Sequence, residues 1–148
     1  MEVLFYHLEQ ARLEQVLPTL LERSLERGWR AVVKSGNADG LDEVDQMLWT
    51  YSREDFLAHG TSALGHESAQ PIYLTTDDNN PNGSQILFLI DGAEVRDDLD
   101  YERVVYLFDG RNDEMLKRAR SDWKAVSTKD YDVTYWQQSD EGKWVKKA

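Results

Sequence analysis

The chain has 148 residues and a mass of 17.2 kDa, with 17 basic against 28 acidic residues, a net charge of −11 and no cysteine. That length suits one domain, residues 1–148, with a single buried core. The absence of cysteine excludes disulfides, thiolate metal sites and a cysteine nucleophile. The acidic balance opposes broad contact with phosphate backbones, because that affinity comes from Lys and Arg displacing condensed counterions. A local basic patch is still compatible with an acidic total, so distribution matters more than the sum.

The opening "MEVLFYHLEQ" has Glu2 where a secretory signal carries a basic start, and its apolar run is too short for a signal core or a membrane span. The expectation is a soluble intracellular protein. "VLFYHL" (3–8) reads as a first strand. Leu13, Val16, Leu17, Leu20, Leu21 and Leu25 then recur at three- and four-residue steps, the stripe of an amphipathic helix that Gly28 ends and that Pro18 should kink or restart. "WRAVVKS" (29–35) is a second strand, "GNADG" its turn, and a second helix is expected to begin near Leu41.

"PIYLTT" (71–76), "ILFLID" (86–91) and "RVVYLFD" (103–109) are near-continuous apolar runs, as in strands buried on both faces of a sheet. A helix from about Asp113 to Ser127 and a last strand, "DVTYWQQ" (132–138), complete the chain. Strands alternating with helices predict an α/β fold with a mostly parallel sheet and helices on both faces. "DDNNPNGSQ" (77–85) and "HGTSALGH" (59–66) read as loops.

Such a sheet invites a nucleotide-binding reading, but neither GxxxxGK[ST] nor a GxGxxG after the first strand is present, and "GNADG" is only a turn signal. His7, His59 and His66 have no metal-ligand spacing. Asp97, Asp98 and Asp100 could be imagined around Mg²⁺, yet an acidic run before a strand is ordinarily a solvated turn or a helix start. No GxSxG elbow or paired base supports nucleophilic catalysis. No catalytic residue, metal or cofactor is expected; the rival reading is a small Mg-dependent nucleotide-binding or hydrolytic enzyme using Asp97, Asp98 and the 77–85 loop.

Rotation at about 100° per residue places Leu41, Val44, Met47, Leu48 and Tyr51 on one side of the second helix and turns Trp49 away from it. Trp49 and Phe56 therefore lack the core explanation that Tyr51 has. On the last helix Met115, Leu116, Ala119, Trp123 and Val126 form the apolar side, with Arg120, Lys124 and Lys117 next around the cylinder. Arg120, Trp123 and Lys124 stand at i, i+3 and i+4 and can converge. Such a stripe is ordinarily a solvated face. Beside a ring it becomes a receptor for an apolar side chain plus a carboxylate: Arg offers a planar fork, Trp a wall and Lys a mobile charge.

In order and spacing, "VLFYHL", "LDEVDQMLWTYSREDFLAHG", "PIYLTTDDNNPNG", "ILFLIDG", and above all "RARSDWKAV" followed by "DVTYWQQ", resemble the chi subunit of bacterial DNA polymerase III holoenzyme. The resemblance covers nearly the whole chain. It implies a single-domain Rossmann-like three-layer sandwich without nucleotide chemistry, in a bacterial cytoplasm, and two binding surfaces. One takes the acidic C-terminal tail of single-stranded DNA-binding protein, SSB, which ends in phenylalanine. The matching positions are Arg120, Trp123 and Lys124 with Phe108 as an apolar floor, bordered by Leu116, at a place that can be basic in relatives, and by Lys117 one position along. The other surface binds the psi subunit, through which chi joins the clamp loader, or a competing DNA helicase; Trp49 and Phe56 match its aromatic positions. Contact with DNA is then expected to run through SSB.

Overall fold

The computed structural model describes residues 2–9, 12–50, 59–61, 71–78, 80–93, 101–129, 131–139 and 143–147, with backbone alone for 49, 50 and 59–61. The elements run β1 (Glu2–Leu8), α1 (Leu13–Glu26), β2 (Ala31–Ser35), α2 (Ala38–Thr50), β3 (His59–Thr61), β4 (Ile72–Thr75), β5 (Ile86–Ile90), β6 (Arg103–Asp109), α3 (Asp113–Ser127), β7 (Asp132–Gln138) and β8 (Trp144–Lys146). The strands form one sheet in the order β3-β4-β2-β5-β6-β1-β7-β8, parallel throughout except for antiparallel β8.

Alternation along the strands builds two cores. One face carries Ala31, Val33, Ile72, Leu74, Phe88, Val105 and Leu107, and meets Leu17 and Leu21 of α1 and Val44 and Leu48 of α2. The opposite face carries Val3, Phe5, Leu87, Leu89, Val104, Tyr106 and Phe108, and meets Ala119 and Val126 of α3. The expected sandwich of a mostly parallel sheet between helical layers is what forms. Each large side chain removed from water here contributes roughly 1.5–3 kcal/mol, which is why both faces need a helical cover.

Local chemistry sets the element ends. Gly28, at φ 81°, closes α1: its N–H donates to Leu25 O (3.0 Å) and the Trp29 N–H to Ser24 O (3.1 Å), the bonding of a Schellman motif. Trp29 belongs to this closure, so β2 starts at Ala31 and not at residue 29. α1 runs unbroken from Leu13 to Glu26 with Pro18 buried inside it, so the helix does not restart at the proline.

The second helix begins at Ala38, earlier than expected. Asn37 Oδ1 accepts the Gly40 N–H at 2.6 Å, so "GNADG" supplies the cap and first turn of α2 and not a separate turn before it. β3 falls within the stretch read as a loop, and β8 extends the sheet beyond the strand expected to be last. Both are three residues long, too short to show a period, and are held by ladder pairing with a neighbour.

Candidate functional site

α3 starts at Asn112, whose Oδ1 accepts the N–H groups of Glu114 (3.1 Å) and Met115 (3.2 Å). Asp113 and Glu114 in the first turn and Lys124 in the last complement the helix dipole. Buried Ala119 and Val126 seat the helix on the sheet, and Met115, Leu116 and Trp123 lie half-buried along its edge. Trp123 packs edge-on against Phe5 (5.4 Å between centroids) and Tyr135 (5.5 Å). Arg120, one turn back, is exposed.

Beneath this edge β1 lies between β6 and β7, with His7 opposite Phe108 on one side and Gln137 on the other. The result is an open cleft of about 500 Å³ lined by His7, Glu9, Gly110, Leu116, Arg120, Trp123, Tyr135 and Gln137. Gly110 is required here because a Cβ at that position would fall 1.7 Å from His7 Nε2. His7 Nδ1 shares a 2.8 Å hydrogen bond with the Tyr135 hydroxyl. The Glu9 carboxylate stands 3.1 Å from His7 Nε2, outside hydrogen-bond geometry, and accepts from Gln137 Nε2 at 2.9 Å. Burial lowers the His7 pKa; Glu9 pulls it back up, and the nearby Arg120 guanidinium lowers it further. Burial raises the Tyr135 pKa, which Arg120 opposes. Arg120 thus acts electrostatically on both groups across the cleft.

Of the residues expected at the tail-binding surface, Leu116, Arg120 and Trp123 share this cleft. Phe108 is 2% exposed and lies one layer below, its ring 5.0 Å from His7 and 6.0 Å from Tyr135, so it supports the wall without lining it. Lys117 and Lys124 are exposed on α3 outside the lining. His7, Glu9, Gly110, Tyr135 and Gln137 were not anticipated. Trp49 is described by its backbone, near the end of α2, and Phe56, Asp97, Asp98, Asp100 and His66 lie outside the described residues.

A second cleft, about 530 Å³, opens at the carboxyl ends of β1 and β6, where open α/β sheets commonly hold ligands. Its two arginines each stand beside a carboxylate, and Glu43 and Asp91 add further negative charge to the lining. Arg111 Nε donates to Asp109 at 2.9 Å and Arg12 lies 3.8 Å from Glu14. The start of α2 is filled by Asp91, whose carboxylate accepts from Ser35 Oγ at 3.1 Å and leaves no room for a Cβ on Gly40. The 77–85 loop is likewise tied down: Lys34 of β2 holds Asp78, and Asn80 Oδ1 accepts the Ser84 N–H at 2.7 Å. Among the described residues no group of three His, Asp or Glu is placed to hold a metal ion, and no helix is long and apolar enough to cross a membrane.

The chemistry of the Arg120 cleft is that of a binding pocket: a guanidinium fork, an indole wall and a side-chain amide around a half-open space. Comparison with known proteins gives it a context. The "Probable DNA polymerase III subunit chi" of Rickettsia prowazekii (strain Madrid E) is 25% identical over 103 residues, which cover 70% of this chain and 62% of that relative. The chain therefore matches less than two thirds of that relative's length. Residues 1–134 match the family described as DNA polymerase III chi subunit, HolC. With a match across so much of its length, the chain belongs to the DNA polymerase III chi subunit family.

Proposed function

We propose that this protein is a noncatalytic accessory subunit of the bacterial clamp-loader complex, which binds the acidic C-terminal tail of SSB in the cleft beside α3 and so links the replicase to SSB-coated DNA. The observation that carries the reading is the pairing of the exposed Arg120 with the half-buried Trp123 at the rim of one solvent-open cleft of about 500 Å³. A terminal carboxylate suits the guanidinium fork, and the ring of a final phenylalanine suits the Trp123 and Leu116 wall. Lys117 and Lys124, exposed on the same helix, add positive charge for the acidic residues that precede the terminus. Phe108 backs the His7 and Tyr135 rings from below.

A second surface, bearing Trp49 and Phe56, docks the psi subunit or a competing helicase, and psi carries the protein to the clamp loader in the cytoplasm. Family membership supports this half of the reading.

Calorimetric titration with a synthetic acidic tail peptide, with and without its final phenylalanine, tests the proposal. The intact peptide is expected to bind, the truncated one to lose most of its affinity, and the affinity to fall with added salt, since exposed ion pairs are screened over about 8–10 Å. Equal binding of the two peptides would refute the assignment of the cleft to a chain terminus.

A further inference from the structure

On the α1 face of the sheet the helical cover ends early. Tyr6 of β1 and Trp136 of β7 are directly opposite in the parallel register, their rings stacked at 6.5 Å and 20°. Trp144 of β8 meets Tyr6 edge-on at 4.8 Å. Trp136 and Trp144 are half-exposed and belong to neither core. The indole N–H of Trp136 donates to Thr134 Oγ1 at 3.0 Å, which fixes the plane of the ring. A side chain chosen only to fill space would not present two indoles to water on adjacent strands.

The rings continue into charge. From Tyr6 a cleft of about 390 Å³ runs toward the end of α1, with Arg23, Arg27 and Arg103 in its wall and Glu26 as its one acidic lining residue among those described. Beyond it Trp29 lies under the Arg27 guanidinium at 4.0 Å, with Arg103 at 5.4 Å. Arg103 is oriented by Glu2, which accepts from its Nε at 3.0 Å. In a chain of net charge −11, three arginines flanking a row of aromatic faces make a local reversal of sign.

We infer that this sheet face is a platform for single-stranded nucleic acid, with bases stacking on Trp136 and Trp144 and phosphates meeting Arg23, Arg27 and Arg103. Aromatic side chains on adjacent strands of an open sheet, bordered by cations, bind unpaired bases in a sequence-tolerant way, because every base has a flat face and every nucleotide a negative charge. A duplex hides those flat faces. The Tyr6, Trp136 and Trp144 rings are followed by the arginines along the cleft toward the end of α1, and this succession of flat faces and cations suits a repeating polymer better than the single anchoring side chain of a peptide. This surface lies on the opposite side of the sheet from the Arg120 cleft and goes beyond the tail-binding reading: it touches the strand itself, where the family resemblance implied contact through SSB.

The test is fluorescence anisotropy of a labelled oligothymidylate of about 16 nucleotides, titrated with the full chain at low salt, beside a duplex of equal length. The single strand is expected to bind more tightly than the duplex, with a log–log salt slope of about −2 for three phosphate contacts. Trp136→Ala and the exposed-site variant Arg27→Ala should each weaken binding about tenfold, while Arg120→Ala leaves it unchanged. Circular dichroism checks that the variants fold, and Arg27→Ala keeps the test intact if Trp136→Ala does not. Three results would overturn the inference: no binding of the single strand at low salt, duplex bound as well as single strand, or Arg27→Ala binding like the wild type. So would an acidic peptide whose binding, and not that of the oligonucleotide, is lost on Trp136→Ala.

Discussion

Replacing Arg120 by alanine removes a cation from the rim of the α3 cleft while disturbing little else. The side chain is exposed, so the fold should change in stability by no more than about 0.5 kcal/mol. Its contribution to peptide binding is larger. A unit charge at 4 Å is worth about 1 kcal/mol in water, and a sheltered hydrogen bond to a charged group about 1.5–3 kcal/mol. The cleft is open, so the lower part of that range applies, about 1–1.5 kcal/mol, or roughly a five- to tenfold rise in Kd for the acidic tail. Arg120→Lys keeps the charge but loses the planar fork and should fall between the two. Calorimetry at low and moderate salt with urea denaturation as the stability control reads all three quantities. An Arg120→Ala protein with unchanged Kd at low salt, or a wild-type Kd indifferent to salt, would show that the guanidinium takes no part in tail recognition.

Phe56→Ala should weaken capture of a psi subunit at least about tenfold, as loss of an aromatic anchor does, while leaving tail affinity unchanged; parallel titrations with the two ligands check it. The His7 pKa is lowered from its ordinary value of 6.5, chiefly by burial, so between the two values the native state binds fewer protons than the unfolded chain. Stability is therefore full above about pH 6.5 and declines as the pH falls toward the lowered value; thermal melts across that window should show the decline, and His7→Gln should flatten it. Tyr106→Phe deletes a 2.9 Å bond donated to Asp122 and should cost about 1 kcal/mol in urea unfolding. Gly36→Ala should cost about 1–3 kcal/mol by the same measurement, because the new Cβ would fall 2.1 Å from the backbone oxygen of Asp91.

How far the site could be read before the fold was known depended on distance along the chain. Leu116, Arg120 and Trp123 are neighbours on one helix, so rotation alone brings them together. His7 and Tyr135 touch across 128 positions, and only the insertion of β1 beside β7 makes them partners. Alternation in "VLFYHL" and "DVTYWQQ" already separates Phe5 and His7 from Leu4 and Tyr6, and Tyr135 and Gln137 from Trp136; what it lacks is register. Phe108 illustrates the same gap, since a strand-end residue can line a cleft or lie beneath it depending on its neighbour's side chain. Among the elements, β5 and β6 were legible as apolar runs, whereas β3 and β8 were not, because three residues show no period.

The place of β1 in the sheet also governs when the protein can become competent. Strand β1 is flanked by β6 and β7, which are translated long after it, so both of its edges stay unsatisfied until β7 has been made. Strands β3, β4, β2 and β5 can pair with one another as they are made, but a translation product that stops short of β7 lacks the seam on which the α3 cleft is built. A copy that stops short of β7 therefore lacks the α3 cleft: the topology acts as a check on the completeness of that site.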